Sequence, residues 1–531
     1  MEMPLNAWTM FDHAARHFGD VDIVTGWADG RRHRYTYGDF AVRATRLMNA
    51  IEALDVAPGA AVGTLAWNSY RHLEAYFGVT CAGRVLHTLN LRLSPDELGY
   101  IVDDAGDQVI LVDADLVPLL EKARGAGFLD GVRQIVVFGE VPDSDLPHLI
   151  SYDDLLATQP ATYPRPDIEE SAPFGICYTS GTTGRSKGVV YTHRSSVLHA
   201  LGVSSGAGLA IGPSDCVLPV VPMFHANAWG APHAATMMGA KQVFLAGPFE
   251  PRLLVDLLAE EQVTVTAGVP TIWLETADEL RRRGGGLPRL RHIVCGGAQP
   301  PRALIERYRS EFGIPILQAW GMTETSPLAS VAWPKHRMAD YPAEQMVSEA
   351  ACQAGLPLPT IDLAIRSERG EDLAWDGAAM GRLFVRGPWV VDSYLHGAGA
   401  EQFEAGWFAT GDVAVGSPNG YFRIADRTKD LIKSGGEWIS SVDMEAALMA
   451  MPGVLEAAVV AIPDPKWLER PLAAIVATSG ATVTLAEVHE HLLGAGFARW
   501  QLPDRVELIG EVPRTSVGKF DKLALRARFG E

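Results

Sequence analysis

Residues Tyr178-Thr179-Ser180-Gly181-Thr182-Thr183-Gly184-Arg185-Ser186-Lys187-Gly188 form a run of hydroxyl and glycine positions that closes on a lysine. Glycines let backbone N–H groups turn toward an anion, hydroxyls add donors, and the ammonium adds a point charge. The chemistry that suits this mixture is phosphate binding. It is not a Walker A loop, which ends in Gly-Lys-Ser/Thr; here Lys187 follows Ser186 and precedes Gly188. A plain Ser/Thr/Gly linker is the alternative, but the apolar segments Phe174 to Cys177 and Val189-Val190 flank the run closely.

Three further segments carry chemistry. Gln318-Ala319-Trp320-Gly321-Met322-Thr323-Glu324-Thr325 follows the apolar Ile314-Pro315-Ile316-Leu317 and reads as one turn holding an aromatic, hydroxyls and a carboxylate. Glu324 is the hard-oxygen ligand type that Mg²⁺ takes together with substrate phosphates, and Thr323 can bond a phosphate oxygen. Gly406-Trp407-Phe408-Ala409-Thr410-Gly411-Asp412 reads as a second turn. The two oxygens of Asp412 suit the two hydroxyls of a ribose, with Arg427 downstream for the same sugar or a phosphate. Pro513-Arg514-Thr515-Ser516-Val517-Gly518-Lys519-Phe520 sets a lysine after a glycine on a polar loop, where domain motion can deliver it into a site.

The elements that must position these groups alternate in type. Ala61 to Trp67, Gln108 to Val112 and Gln134 to Phe138 read as buried strands. Tyr70 to Cys81 reads as a helix, and Ser94-Pro95-Asp96-Glu97 is a capping box with proline at the first helical position, opening a helix through Ala105. Strands recur at Gln242 to Leu245, Val263 to Ala267 and His292 to Cys295. Continuous apolar strands alternating with helices predict parallel sheets covered on both faces. Past Gly355, short strands with turn signals (Ile361 to Ile365, Arg382 to Val385, Tyr421 to Ile424) predict a small β-rich unit over about 355–426. After the charged run DRTKDLIKSGGEW, strands at Leu455 to Ile462 and Leu472 to Ala477 and a helix from Leu485 to His491 predict a compact α+β unit. The predicted boundary is Lys429, dividing 1–428 from 429–531. The fold class is therefore α/β: a large N-terminal domain of two αβ-layered sheets plus the β-rich unit, with a mobile C-terminal domain.

Composition sets limits. A chain of 531 residues exceeds a single compact core, and 47% hydrophobic with 21% charged residues is ordinary for a soluble globular protein. A net charge of −19 argues against wrapping nucleic acid and requires local positive groups to draw any anionic substrate. No apolar run reaches the ~20 residues of a membrane span. The start, Met1-Glu2-Met3-Pro4-Leu5, has no secretory pattern, and the five cysteines are scattered singly, which predicts a reducing cytoplasmic setting without metal-ligand spacing.

Taken in order, YTSGTTGRSKG, QAWGMTET, GWFATGD, DRTKDLIKSGGEW and PRTSVGKF resemble the adenylate-forming enzymes: acyl-CoA synthetases, peptide-synthetase adenylation domains and firefly luciferases. The resemblance covers almost the whole chain. The segments VPMFHANAWG (221–230) and SGGEWISS (434–441) are similar to the branch of medium- and long-chain fatty acyl-CoA ligases and 3-methylmercaptopropionate-CoA ligases. One position departs from the family pattern: Ser186 stands where proline usually precedes the loop lysine.

The resemblance implies two half-reactions on a small-molecule carboxylic acid, with ATP, Mg²⁺ and CoA. The acid first becomes acyl-AMP, and a thiol then takes the acyl group. It implies that Thr179, Ser180, Gly181, Thr182, Thr183, Gly184 and Lys187 hold the β- and γ-phosphates, and that Thr182 and Glu324 meet the metal. It implies that Gly297, Ala298 and Gln299, with Gln318, Ala319, Trp320, Gly321 and Met322, line the adenine and acyl pocket. Asp412 and Arg427 would hold the ribose, and His225 would sit by the substrate carboxylate. Trp229 would gate the acyl tunnel with Gly297 and Trp320 beside it. Lys519 would bridge carboxylate and α-phosphate. Lys429 would be the hinge, and Ser434, Gly435, Gly436, Glu437 and Trp438 would face the thiol channel, with Lys466, Arg499 and Trp500 toward the nucleotide end of CoA. A medium-length fatty acid, with a long-chain one or the short thioether acid of a 3-methylmercaptopropionate-CoA ligase as alternatives, a cytoplasmic homodimer and no nucleic-acid partner complete the expectation. Rival readings are a serine hydrolase, from the G-x-S-x-G match at 202–206, a carrier-protein acceptor in place of CoA, and a non-enzymatic binding role.

Overall fold

The computed structural model describes residues 3–179, 185–435, 437–478, 480–514 and 520–530. Two large sheets form the first part. One has seven strands, in the order Leu149–Ser151, Gln134–Phe138, Val109–Asp113, Ala61–Leu65, Val85–Thr88, Pro173–Tyr178 and Gly188–Thr192. All its neighbours are parallel except the last pair. The other has nine strands, with a parallel centre that includes Cys216–Pro219, Val265–Gly268, His292–Cys295 and Ile316–Gly321. The strands read almost unbroken in apolar residues because helices cover both faces. One core joins the two sheets: Val62, Leu86 and Phe174 from the first meet Val217, Phe244 and Val294 from the second through the helical residues Phe77, Ala200 and Ala234.

A five-stranded antiparallel sheet follows, built from Asp362–Arg366, Met380–Arg386, Phe403–Glu404, Trp407–Gly416 and Phe422–Arg427. The last residues form another sheet with a core on each face. Ile432, Ile439, Val459, Ala473 and Ile475 pack with Met444, Leu448 and Leu492 of the helices Ser441–Met449 and Leu485–Gly494. Val460, Leu472 and Ala474 pack on the other side with Leu525 of the helix Lys522–Phe529. Adjacent residues such as Val459 and Val460 serve opposite faces, the period-2 signature of a strand.

Two of the expected turns are strand instead. Gln318 to Gly321 complete the strand Ile316–Gly321, and Thr323–Thr325 make a single 3-10 turn. Trp407–Gly416 is one ten-residue strand. Its glycine signal is genuine but marks a bulge: Gly411, at φ 74°, lies between Ala409 paired to Phe384 and Val413 paired to Arg382. Such a bulge re-aims the next side chain, and here that is Asp412.

All five cysteines are free thiols. Among the described residues no helix is long and apolar enough to cross a membrane, and no group of three metal-ligating side chains converges.

Candidate active site

Asp412 and Arg427 are direct cross-strand partners on Trp407–Gly416 and Phe422–Arg427. The register sets the Arg427 Nε 2.8 Å from Asp412 Oδ1. The other oxygen, Oδ2, accepts the indole N–H of Trp320 at 3.0 Å. Asp412 is only 3% exposed, so its carboxylate is held in a protected place with one protein donor on each oxygen and a lone pair left on each. Trp320 arrives from the nine-stranded sheet, and the contact therefore ties that sheet to the small antiparallel one. Neighbouring Gly321 can only be glycine: a Cβ there would sit 1.9 Å from the carbonyl oxygen of Pro327.

Glu324 lies in the 3-10 turn just beyond the strand that carries Trp320. It is 6% exposed, and burial pushes its carboxyl above the ordinary glutamate range, although the Tyr394 hydroxyl opposes the shift by donating to Oε1 at 2.6 Å. Tyr394 has a second neighbour: the Lys187 Nζ lies 5.1 Å from its ring centroid. The tyrosine thus links the carboxylate to the lysine that ends the glycine–threonine run. The backbone carbonyl of Thr323 accepts the Tyr191 hydroxyl at 2.8 Å. The mouth of the run is closed by Thr179 N–H to the Lys187 carbonyl (3.0 Å) and Lys187 N–H to Thr179 Oγ1 (3.3 Å). The expected contacts of Ser180, Gly181, Thr182, Thr183, Gly184, Gly436 and Lys519 lie outside the described residues.

His225 lines a cavity of about 10 Å³ with Thr88, Asn90, Tyr178, Thr179 and Phe224, room for about one water. Beyond it the chain does something unusual. Ala226, Asn227, Ala228 and Trp229 have φ of 43°, 52°, 49° and 57°, a left-handed turn of four residues with side chains. The turn lays the Trp229 ring over Gly296 and Gly297, where an added Cβ would be 3.0 Å and 3.8 Å from it respectively. Gly297, Ala298 and Gln299 are exposed on the loop beneath.

The chain matches the family model of AMP-binding enzymes over residues 11–395 and that of the AMP-binding enzyme C-terminal domain over 443–519. It belongs to the AMP-binding enzyme family. This AMP-binding enzyme is 47% identical to a long-chain-fatty-acid–CoA ligase of Thermus thermophilus over 100% of its own chain and 96% of the relative. It is 41% identical to a 3-methylmercaptopropionyl-CoA ligase of Ruegeria lacuscaerulensis over 100% of its chain and 98% of the relative. Its fold superposes on the crystal structure of the anthranilate CoA ligase AuaEII in complex with anthranoyl-AMP with a TM-score of 0.86, at 25% identity and 99% coverage of both chains.

The remaining described candidates lie between Lys429 and Trp500 of this AMP-binding enzyme. The Lys429 carbonyl accepts from Arg526 at 3.4 Å, and burial holds the Lys429 ammonium below its ordinary pKa. Trp438 packs on Val413, Val415 and Ala425 of the strands that carry Asp412 and Arg427. Ser434 Oγ accepts from Arg470 at 3.0 Å, while Gly435, at φ 62°, lies under the Trp467 ring. Glu437 and Trp500 are exposed. The hydrolase elbow does not form: Ser204 ends the helix His193–Ser204 and Ser205 caps it, where that elbow requires a strand before the serine. Tyr394 was not singled out by sequence reasoning. It is an isolated aromatic 70 residues from Glu324, and no local pattern announces such a contact.

Proposed function

We infer that this AMP-binding enzyme is an ATP-dependent ligase that joins a carboxylic acid to CoA through an acyl-AMP. Supporting this reading is the convergence of separate motifs on one place: Trp320 and Arg427 on Asp412, and Lys187 and Glu324 on Tyr394. In the first half-reaction a carboxylate oxygen of the acid attacks the α-phosphorus of ATP, and pyrophosphate leaves. In the second, the CoA thiolate attacks the acyl carbon, and AMP leaves with the bonding electrons. Such phosphoryl chemistry needs positioning and charge neutralisation more than covalent help.

The proposed roles rest on residue chemistry and, for the described residues, on their neighbours. Asp412 is a fixed acceptor for ribose hydroxyls, oriented by Arg427 and Trp320. Lys187, Thr179 and the stretch Ser180 to Gly184 take the phosphate tail. Glu324 fits Mg²⁺, which commonly uses one protein carboxylate plus phosphate oxygens; bound there, the ion would neutralise phosphate charge. Thr323 adds a hydroxyl beside it, and His225 stands by the acid's carboxylate. Lys519 supplies the ammonium for adenylation, and Gly435 with Gly436 lets the pantetheine arm pass closely. Rotation about Lys429 would exchange these two arrangements.

The acid is apolar. A medium-chain fatty acid is the proposed substrate; the relatives named for a long-chain fatty acid and for 3-methylmercaptopropionate leave room for it. Assembly as a homodimer in the cytoplasm completes the proposal; the unpaired thiols suit a reducing compartment, and sedimentation at one protomer mass would remove the dimer. The deciding experiment is Lys519→Ala. Adenylation, read as pyrophosphate release across short, medium, long and sulfur-containing acids, should fall by about a thousandfold or more. Supplied acyl-AMP should still be converted to thioester. Equal loss in both steps would reject the division of labour.

A further inference from the structure

Both ends of the glycine–threonine run are moored to one helix, Pro95–Ala105. At the entering end the Tyr178 hydroxyl donates to Asp104 Oδ2 at 2.6 Å. At the leaving end the Ser186 hydroxyl donates to Glu97 Oε1 at 2.6 Å, and the Arg185 guanidinium lies 4.6 Å from the Tyr100 ring centroid. Glu97, Tyr100 and Asp104 are spaced by three and four residues, so one face of the helix carries all three anchors. Ser186 is 3% exposed and Glu97 is half-buried, so the bond is partly sheltered and charge-assisted.

The sign of Glu97 makes the arrangement informative. A carboxylate beside a segment that takes a triphosphate weakens anion binding through space. Its presence is reconciled with function when the hydrogen bond it makes is worth more than the repulsion it adds. Ser186 directly precedes Lys187, whose N–H and carbonyl already close the mouth of the run on Thr179. Fixing Ser186 therefore fixes the backbone from which the Lys187 ammonium projects toward Tyr394 and, at 3.9 Å, Glu401.

We propose that Glu97, acting through Ser186, is a positioning residue for Lys187 and so for the phosphate tail of ATP. The inference rests on the proposed adenylation activity. It predicts a coupling between two residues 89 positions apart in sequence.

The test is a double-mutant cycle on the full chain with Glu97→Ala, Ser186→Ala and both together. Glu97→Gln serves as the conservative variant because it keeps an acceptor. Two readouts are needed: KM for ATP in acid-dependent pyrophosphate exchange, and thioester formation from supplied acyl-AMP. Each single variant should raise KM for ATP about tenfold, the scale of one charge-assisted hydrogen bond. The double variant should be no worse than the poorer single one, and Glu97→Gln should stay within about threefold of the parent. Thioester formation from acyl-AMP should be unchanged throughout, which also reports that each variant is folded. Multiplicative effects, an unchanged KM for ATP, or equal loss in the acyl-AMP step would overturn the proposal. Absence of exchange in the parent protein would instead overturn the adenylation reading, and this inference with it.

Discussion

The two walls of the candidate site are built by opposite means. On the proposed nucleotide side, Asp412 and Arg427 face each other because two antiparallel strands are in register, and Trp320 pins the pair from another sheet. Among the residues of these two strands only the bulge glycine has a positive φ. On the proposed acid side, Ala226 to Trp229 run left-handed, at a cost of roughly 1–2 kcal/mol for each residue with a Cβ. The first wall is held by hydrogen bonds that any relaxation would lose. The second is held against its own preference by the packing around it. A wall of the first kind suits a ligand part that never varies, and a wall of the second kind can give way as the ligand enters.

The largest effect that tests this contrast is Asp412→Ala. It leaves the Arg427 guanidinium and the Trp320 N–H without their shared acceptor, and kcat/KM for ATP in adenylation should fall about a hundredfold. A fall of less than threefold would mean that the strand pair is scaffold and not a ribose seat. Trp229→Ala should act on the other axis. The preferred acid length should move and kcat/KM for individual acids should change about tenfold, while KM for ATP stays within about twofold. If ATP and acid respond together, the two walls are one unit.

A third effect is smaller and depends on pH. Burial raises the Glu324 carboxyl above its ordinary range, so the folded protein holds that proton more tightly than the unfolded chain. Its contribution to stability is therefore present at low pH and declines as pH rises from the ordinary glutamate value through the raised one. Glu324→Gln removes the decline, so melting temperatures in the absence of nucleotide should shift in favour of the variant with rising pH. Asp426 and Glu445 are also raised by burial, but their effects are common to both proteins and cancel in the difference. A constant gap across pH would contradict the buried charge.

The smallest effect compares two fully buried alanines. Ala414→Gly, in the strand Trp407–Gly416, should cost about 1.5 kcal/mol, from a lost methyl and a glycine placed in a strand. Ala228→Gly loses the same methyl but relieves a left-handed backbone, and should fall within about 0.5 kcal/mol of the parent. Similar losses at both sites, measured by denaturant unfolding, would show that the acid-side turn stores no strain.

The sequence announced some elements to the residue and concealed others. The helix Pro95–Ala105 was legible at both ends because Ser94 caps it, Pro95 starts it and Gly106 ends it in a left-handed conformation. Gln134–Phe138 and His292–Cys295 were equally plain as short apolar runs in parallel sheets. Trp407–Gly416 was misread as a turn because its glycines and aspartate outweigh local strand propensity, and only pairing with the distant Met380–Arg386 makes it a strand. In the site, the motifs pointed to Glu324, Asp412 and Arg427 but not to the groups that orient them. Tyr394 and Glu97 are ordinary residues until the fold brings them into contact, and pairwise contact across 70 or 89 residues leaves no local trace. The left-handed turn was hidden for another reason: Ala-Asn-Ala-Trp contains no glycine to signal it.

Among the described residues, the last hundred have an apolar core on each side of their own sheet, built from that segment alone. If that lobe pivots, it need not melt. Among its described contacts it trades away the Ser440 hydroxyl on the Ala425 carbonyl, the Ser441 N–H on Asp426, the Arg423–Asp443 and Lys433–Glu368 ion pairs and the shelter of one indole. Water can replace most of these contacts at little cost, so a pivot of this kind would run at the pace of a hinge, in microseconds to milliseconds, and not at the pace of unfolding.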